Sequence, residues 1–237
     1  MYDTVRSDPI ASKYLRRYVG SRELVRNLDR WCLWLEGLHP KEIKQSSEIK
    51  SRLESVSKFR SSSKKRATRE LASTPHLFAE RRLPTTDFCC LPSVVSEARR
   101  YFTADYLSKT TVPSNLCFFV EDPDGLAFAL DSSSMLITWQ KTVGGRLKSD
   151  IRFSNVLVWN TFPVPALDES TREEIISAGQ SILKARALHP ERSLADSYDP
   201  LAMEPSLIRP MMRSTARLIK HSERQARLLP SVNAKKL

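Results

Sequence analysis

Six cations stand within the twelve residues Lys58-Phe59-Arg60-Ser61-Ser62-Ser63-Lys64-Lys65-Arg66-Ala67-Thr68-Arg69, interleaved with small hydroxyl side chains. Ammonium and guanidinium groups neutralise a polyanion and hydroxyls add neutral hydrogen bonds, so this run has the make-up of a phosphate-backbone grip. Lys64, Lys65, Arg66 and Arg69 are its candidate contacts. A solvated helix face has the same composition, and the run alone leaves both readings open. Groups suited to covalent chemistry are sparse. No Walker-type or GxGxxG loop, GxSxG elbow or HExxH pair is present. His39, His76 and His189 adjoin prolines, and these three and His221 fit surface or capping roles. Glu42-Ile43-Lys44 and Glu48-Ile49-Lys50 share the spelling of the second half of a nuclease metal motif, but no acidic residue in strand context precedes them. Asp122 and Asp124 flank Pro123 ahead of Gly125, a turn signature rather than an acid–base pair. The residues point to binding, with no catalysis by the chain alone.

The whole chain agrees with a binding role. Its 237 residues, 41% hydrophobic and 27% charged with only 6 Gly, suit a globular protein of one or two domains. The 38 Lys+Arg against 27 Asp+Glu leave +11, an excess that favours nucleic acid as partner. That excess is uneven: residues 1–82 hold 19 cations against 10 acidic groups, while residues 83–165 hold 7 against 8. Cys32, Cys89, Cys90 and Cys117 show no CxxC spacing, so reduced, mostly buried thiols are expected rather than a zinc site or a disulfide framework. No apolar run approaches the ~20 residues of a membrane span, and Met1 to Gly20 lacks the apolar core of a signal peptide. A cytoplasmic location without a membrane partner is the expectation.

The elements that must position these groups fall into two regions. Leu15 to Leu35 mixes a helical spacing with a strand-like end at Trp31 to Leu35. After Pro40, Ile43, Ile49, Leu53, Val56 and Phe59 predict a helix over about 46–65. Phe88 to Val95, Leu116 to Val120 and Val156 to Trp159 read as strands. Met135, Leu136, Trp139 and Val143 share a helical face, with Asp131 or Ser132 as N-cap and Gly144-Gly145 as the stop. Beyond Pro165, Ser170 and Glu173 form a capping-box pattern for a helix reaching about Leu188, and an Arg-rich helix is expected from Leu207 to Leu228. The expected class is α+β: a mixed α/β domain over 1–165 and a small helical domain over 166–237, with Asn233 to Leu237 frayed.

Five stretches, taken in order, resemble the C-terminal part of MmeI-like restriction–modification DNA adenine methyltransferases. They are Tyr14-Leu15-Arg16-Arg17-Tyr18-Val19-Gly20-Ser21-Arg22-Glu23, Arg30-Trp31-Cys32-Leu33-Trp34-Leu35, and Ser63-Lys64-Lys65 through Leu77-Phe78-Ala79-Glu80. Gly145-Arg146-Leu147-Lys148-Ser149-Asp150-Ile151-Arg152-Phe153-Ser154 with Val158-Trp159-Asn160-Thr161-Phe162-Pro163 follows, and then Ser193-Leu194-Ala195-Asp196-Ser197-Tyr198-Asp199-Pro200-Leu201. The resemblance implies a target recognition domain over 1–165 followed by the family's C-terminal helical domain. The family's Asn-Pro-Pro-Tyr type motif and cofactor-binding Gly-rich loop are not in this sequence. No cofactor is therefore expected in this chain; S-adenosylmethionine, and Mg for cleavage, would come with catalytic domains elsewhere. The chain resembles a reading head: a split-gene product, a remnant or an excised piece.

Matching the family motifs places the base-reading positions at Ser93, Asn115, Leu116, Lys148, Asp150 and Arg152. Lys148 has the donor for guanine O6/N7 and Asp150 the acceptor for cytosine N4, so spacing by two on one strand or extended loop would read a G·C pair. An exposed ion pair between them is the bland alternative. Asn115 fits adenine or a turn cap, Ser93 either base class, and Arg152 guanine, a phosphate or an acidic neighbour. Leu116 fits a thymine methyl or, preferably, the core. Arg99 and Arg100 fall in Ser96-Glu97-Ala98-Arg99-Arg100-Tyr101, similar to the family's Ser-Glu-Arg-Arg-Tyr with Ala98 in place of Arg and Val95 in place of Ser. They join the candidate backbone contacts. Pro210 departs from the family's continuous helix and predicts a kink or a late start there. The implied partners are double-stranded DNA and a separately encoded methyltransferase/nuclease polypeptide. The rival reading is a degenerate protein-interaction remnant with only nonspecific DNA affinity.

Overall fold

The computed structural model describes residues 2–228, with side chains described for 5–223. In chain order the elements are α1 (Tyr2–Ser7), β1 (Leu15–Val19), α2 (Ser21–Arg26), β2 (Trp31–Leu33), α3 (Pro40–Gln45), α4 (Ser47–Ser61), α5 (Arg66–Glu70), β3 (Phe88–Pro92), β4 (Val94–Val95), β5 (Asp105–Leu107), β6 (Val112–Pro113), β7 (Cys117–Glu121), α6 (Leu126–Asp131), α7 (Ser134–Val143), β8 (Gly145–Leu147), β9 (Asp150–Arg152), α8 (Glu169–Ala187), α9 (Leu194–Ser197) and α10 (Pro205–Leu228). Helices together with three small sheets make the fold α+β. The chain divides into two compact units. The frayed tail expected at Asn233 to Leu237 lies outside the described residues.

The first unit comprises Met1–Val19, Asp29–Leu83 and Thr110–Asn115. Its sheet has the order β2-β1-β6, with Arg16 opposite Cys32 in the antiparallel pair and Tyr18 opposite Val112 in the parallel one. The helix expected over 46–65 is α4: the Ser46 hydroxyl accepts the Ile49 N–H (3.1 Å), satisfying an orphan donor of the first turn. Ile49 is fully buried with Val5, Ala11 and Leu35, and Leu53 packs against them. Phe59, which continues the apolar spacing, is instead 73% exposed. Phe78 stacks on Trp34 (5.1 Å) and Tyr18 (6.0 Å).

The second unit comprises Gly20–Leu28, Pro84–Lys109 and Leu116–Leu237. The helical spacing read across Leu15 to Leu35 thus resolves into β1, the short α2 and β2, because Asn27 in a left-handed conformation (φ 49°) ends α2 after six residues. Two sheets, β5-β3-β7 and β4-β9-β8, are antiparallel throughout. β3 is buried at all five positions, as its unbroken apolar run requires. Its core continues through Phe102, Phe128, Leu136, Ile151, Ile175, Ile182, Met211 and Leu218, so α8 and α10 share one apolar cluster with the strands.

Several boundaries differ from expectation. Asp131 is the last residue of a separate helix, α6, and is fully buried; Ser133 caps α7 by accepting the Leu136 N–H (3.2 Å). α6 itself is started by Asp122, whose carboxylate accepts the N–H groups of Ala127 (3.0 Å) and Phe128 (2.8 Å). The strand expected at Val156 to Trp159 is a π-helical turn, Asn155–Trp159: Val158 is buried while Val156 and Leu157 are exposed, which the period of a strand would not allow. Asp168, not Ser170, caps α8 through the Thr171 N–H (2.7 Å). α10 starts at Pro205 and runs through Pro210 without a late start. Pro210, itself buried, sits early in a long helix packed on α8, so the one lost backbone bond is tolerated.

Candidate nucleic-acid interface

In the second unit the placement of side chains on a two-stranded ribbon is set by its register. Gly145, Arg146 and Leu147 pair with Arg152, Ile151 and Asp150, leaving Lys148 and Ser149 as a two-residue turn. Lys148 takes φ 58°, a left-handed conformation that costs an L-residue about 1–2 kcal/mol. Of the two placements expected for Lys148 and Asp150, one strand or an extended loop, the single strand does not occur: Lys148 is at the tip of the turn, and alternation along β9 puts Asp150 with Arg152 on the outer face. Ile151 between them is buried. Among the described residues Lys148 and the Arg152 guanidinium have no ion-pair or hydrogen-bond partner, and no Lys148–Asp150 ion pair forms.

Three residues that sequence reasoning passed over hold this ribbon. Gln140, 1% exposed on α7, donates from Nε2 to the carbonyl of Arg152 (3.1 Å) and to that of Gly145 (3.5 Å). Arg146 donates to the Ser149 carbonyl (3.0 Å) and pairs with the Glu97 carboxylate (3.0 Å). The Glu97 N–H in turn donates to Asp150 Oδ1 (3.4 Å). The available signal was Gln140 itself, a polar residue four positions after Leu136 on the buried stripe.

Ser93 joins the two sheets of this unit. Its N–H donates to the Leu116 carbonyl (2.9 Å), and its carbonyl accepts the Phe153 N–H (3.0 Å). Backbone bonds thus stitch Ser93, Leu116 and the end of β9 together. Leu116 is 54% exposed, correcting the preference for a core role: its carbonyl is anchored, by Ser93 and by the Ser21 hydroxyl, and its side chain is left outside. Arg100 is exposed. Arg99 is committed to structure, donating to the Ala195 carbonyl (2.7 Å).

In the first unit Asn115 is exposed in the turn after β6, and its side chain caps nothing among the described residues. Of the basic run, Lys64 and Lys65 are exposed and their ammonium groups have no hydrogen-bond or ion-pair partner among the described residues. Arg66 forms an exposed pair with Glu70 (2.8 Å), and Arg69 donates to the carbonyls of Ser63 (2.9 Å) and Lys64 (3.0 Å). Arg60 is spent on the carbonyls of Leu71, Thr74 and Leu77. The nuclease-like glutamates are structural: Glu42 accepts from Tyr14 (2.5 Å) and Lys13 (3.2 Å), and Glu48 pairs with Arg52 (3.5 Å). His39 caps α3, as expected of a capping histidine, whereas His221 is 7% exposed and hydrogen-bonds the Ala166 carbonyl (2.7 Å).

The second unit also buries acidic groups with perturbed titration. Asp131 accepts from the Cys89 thiol (3.1 Å), its Oδ1 has no partner, and burial pushes its carboxyl up to about 8. Burial, then the neighbouring Asp131, holds Cys89 well above the usual thiol range. All four cysteines are free and three are buried. No cluster of three or more metal-ligating side chains occurs among the described residues.

The family model of the MmeI target recognition domain matches residues 1–166. The chain belongs to that family. As an MmeI target recognition domain it has a curated relative, DNA methyltransferase A of Bacillus subtilis (strain 168), 33% identical over 201 residues that make up 85% of this chain and 23% of the relative. A solved structure of the Type IIL restriction–modification enzyme MmeI in complex with DNA superposes with TM-score 0.87 at 35% identity, covering 94% of this chain and 30% of that one. This MmeI-family chain therefore spans less than a third of the length of either.

Proposed function

We propose that the chain is the sequence-reading module for double-stranded DNA in an MmeI-like restriction–modification adenine-N6 methyltransferase. The observation that carries the reading is the braced β8–β9 ribbon, which keeps Lys148 and Arg152 exposed and unpaired beside Asp150 in a chain of this family. A two-stranded ribbon is a shape the major groove admits, and the three side chains supply two donors and one acceptor. Lys148 would take guanine O6/N7 and Asp150 cytosine N4, fixing a G·C pair in the target. Arg152, Ser93, Leu116 and Asn115 would read neighbouring positions. Holding the ribbon rigid before DNA arrives lowers the ordering cost of binding, and Gln140, Glu97 and Arg146 do this.

Affinity independent of sequence would come from backbone cations, for which the free Lys64, Lys65 and Arg100 are better placed than Arg66, Arg69 and Arg99, whose charges already have internal uses. On this reading residues 1–165 do the reading and 166–237 support them, in the cytoplasm where the DNA is. The methyl donor S-adenosylmethionine, Mg for cleavage and the base-flipping machinery belong to catalytic parts of such an enzyme, on the same or a separately encoded polypeptide.

Selection from a randomised duplex pool tests the reading. Enrichment of a short motif with one fixed G·C position is expected. Salt-sensitive retention with no motif would sink it and leave the interaction-remnant alternative.

A further inference from the structure

The helix α10 buries one side and leaves the other bare. Leu207, Met211, Ser214, Leu218 and His221 are buried, whereas Arg209, Met212, Arg213, Ala216, Ile219, Lys220 and Glu223 are exposed. At 3.6 residues per turn, Arg209, Arg213 and Lys220 fall within a narrow stripe of the exposed face. Arg217, at the edge of that stripe, is neutralised by Glu174 (2.8 Å). None of the other three has an ion-pair or hydrogen-bond partner among the described residues, and Glu223 is the one acidic group on the exposed arc among them. α10 is also the element for which neither the basic run nor the reading ribbon gives a use.

We propose that this cationic face of α10 is a second contact with the DNA backbone, separate from the β8–β9 ribbon and blind to sequence. The proposal rests on the DNA-reading function argued above. Three unpaired cations on a rigid helix carry their charge at no cost in internal ion pairs, and an anionic surface is the complement they lack. Arg209 to Lys220 spans about 16 Å along the axis, the length of about five phosphates of one strand. A helix face of this kind fixes the protein against the duplex while other residues choose the bases.

The test compares the full chain with the triple variant Arg209→Gln, Arg213→Gln, Lys220→Gln, and with the double variant Arg209→Lys, Arg213→Lys, in duplex binding across a salt series. The Gln variant is expected to bind preferred and scrambled duplexes more weakly by the same factor. Its slope of log K against log[salt] should be shallower by about 2 to 3, from about 0.9 per phosphate contact, with the selected motif unchanged. Arg209→Lys with Arg213→Lys should keep the wild-type slope. An unchanged slope in the Gln variant, with circular dichroism showing it folded, overturns the proposal, as does a changed motif. A Gln variant that unfolds is replaced by single substitutions, each expected to remove about one unit of slope. A wild type with a steep slope but no motif would sink the reading function and leave this contact standing.

Discussion

Lys148 and Asp150 illustrate how a side chain's use depends on the backbone under it. Lys148 sits at a left-handed turn residue with no internal partner, while Asp150 lies on β9 and accepts one N–H from Glu97. If they read the two partners of one pair, Lys148→Glu with Asp150→Arg exchanges acceptor and donor and should move the selected pair from G·C to C·G. An unchanged preference in the pool selection would remove both from the reading set. Asp131 makes a different prediction. Its folded carboxyl is raised to about 8 from 3.8, so the folded state holds a proton that the unfolded chain has lost. The associated stability is fully present below about pH 4 and declines progressively up to about pH 8. Asp131→Asn keeps the shape without the charge, and urea midpoints across that range should be flatter in the variant than in wild type. A parallel decline in both would show that other groups set the pH dependence.

At the scale of elements, the ribbon owes its position to α7. Gln140 reaches past Gly144, where a Cβ would fall 1.8 Å from Gln140 Nε2 and 2.6 Å from its backbone oxygen. Gly144→Ala must therefore displace Gln140 and release the Arg152 and Gly145 carbonyls, at a cost of about 1–3 kcal/mol. Urea unfolding measures the loss; Gln140→Ala should produce a similar loss, and the two should be less than additive because they break the same bonds. Much of this level was legible in advance: α4, α7, α8, α10 and the strands at Phe88 and Cys117 follow from apolar spacing. The misses share a cause. Ser133 caps α7 in place of Asp131 or Ser132, and Asp168 caps α8 in place of Ser170, because tertiary packing chose which turn to start, and Val156 to Trp159 buried one residue instead of alternating.

At the scale of the molecule, the core of the second unit crosses residue 165: Ile175, Ile182, Met211 and Leu218 share one cluster with Phe128 and Ile151. Each buried aliphatic side chain contributes about 1.5–3 kcal/mol, so cutting the chain after 165 should remove about 6–12 kcal/mol through these four alone, comparable to the whole stability of a typical domain. A 1–165 fragment is expected to lack a cooperative thermal transition, whereas the full chain shows one. A cooperative fragment would make 166–237 a separable appendage.

The sequence by itself determined the family and the list of candidate side chains from which the partner is proposed, because net charge, hydroxyl-cation runs and motif order are properties of residue types and their succession. Only the tertiary structure decided which of those side chains are free. Arg69 and Arg99 end on carbonyls, Leu116 is turned outward and Lys148 sits on a turn, all because backbone groups with unfilled hydrogen bonds must be satisfied before any side chain is left for DNA.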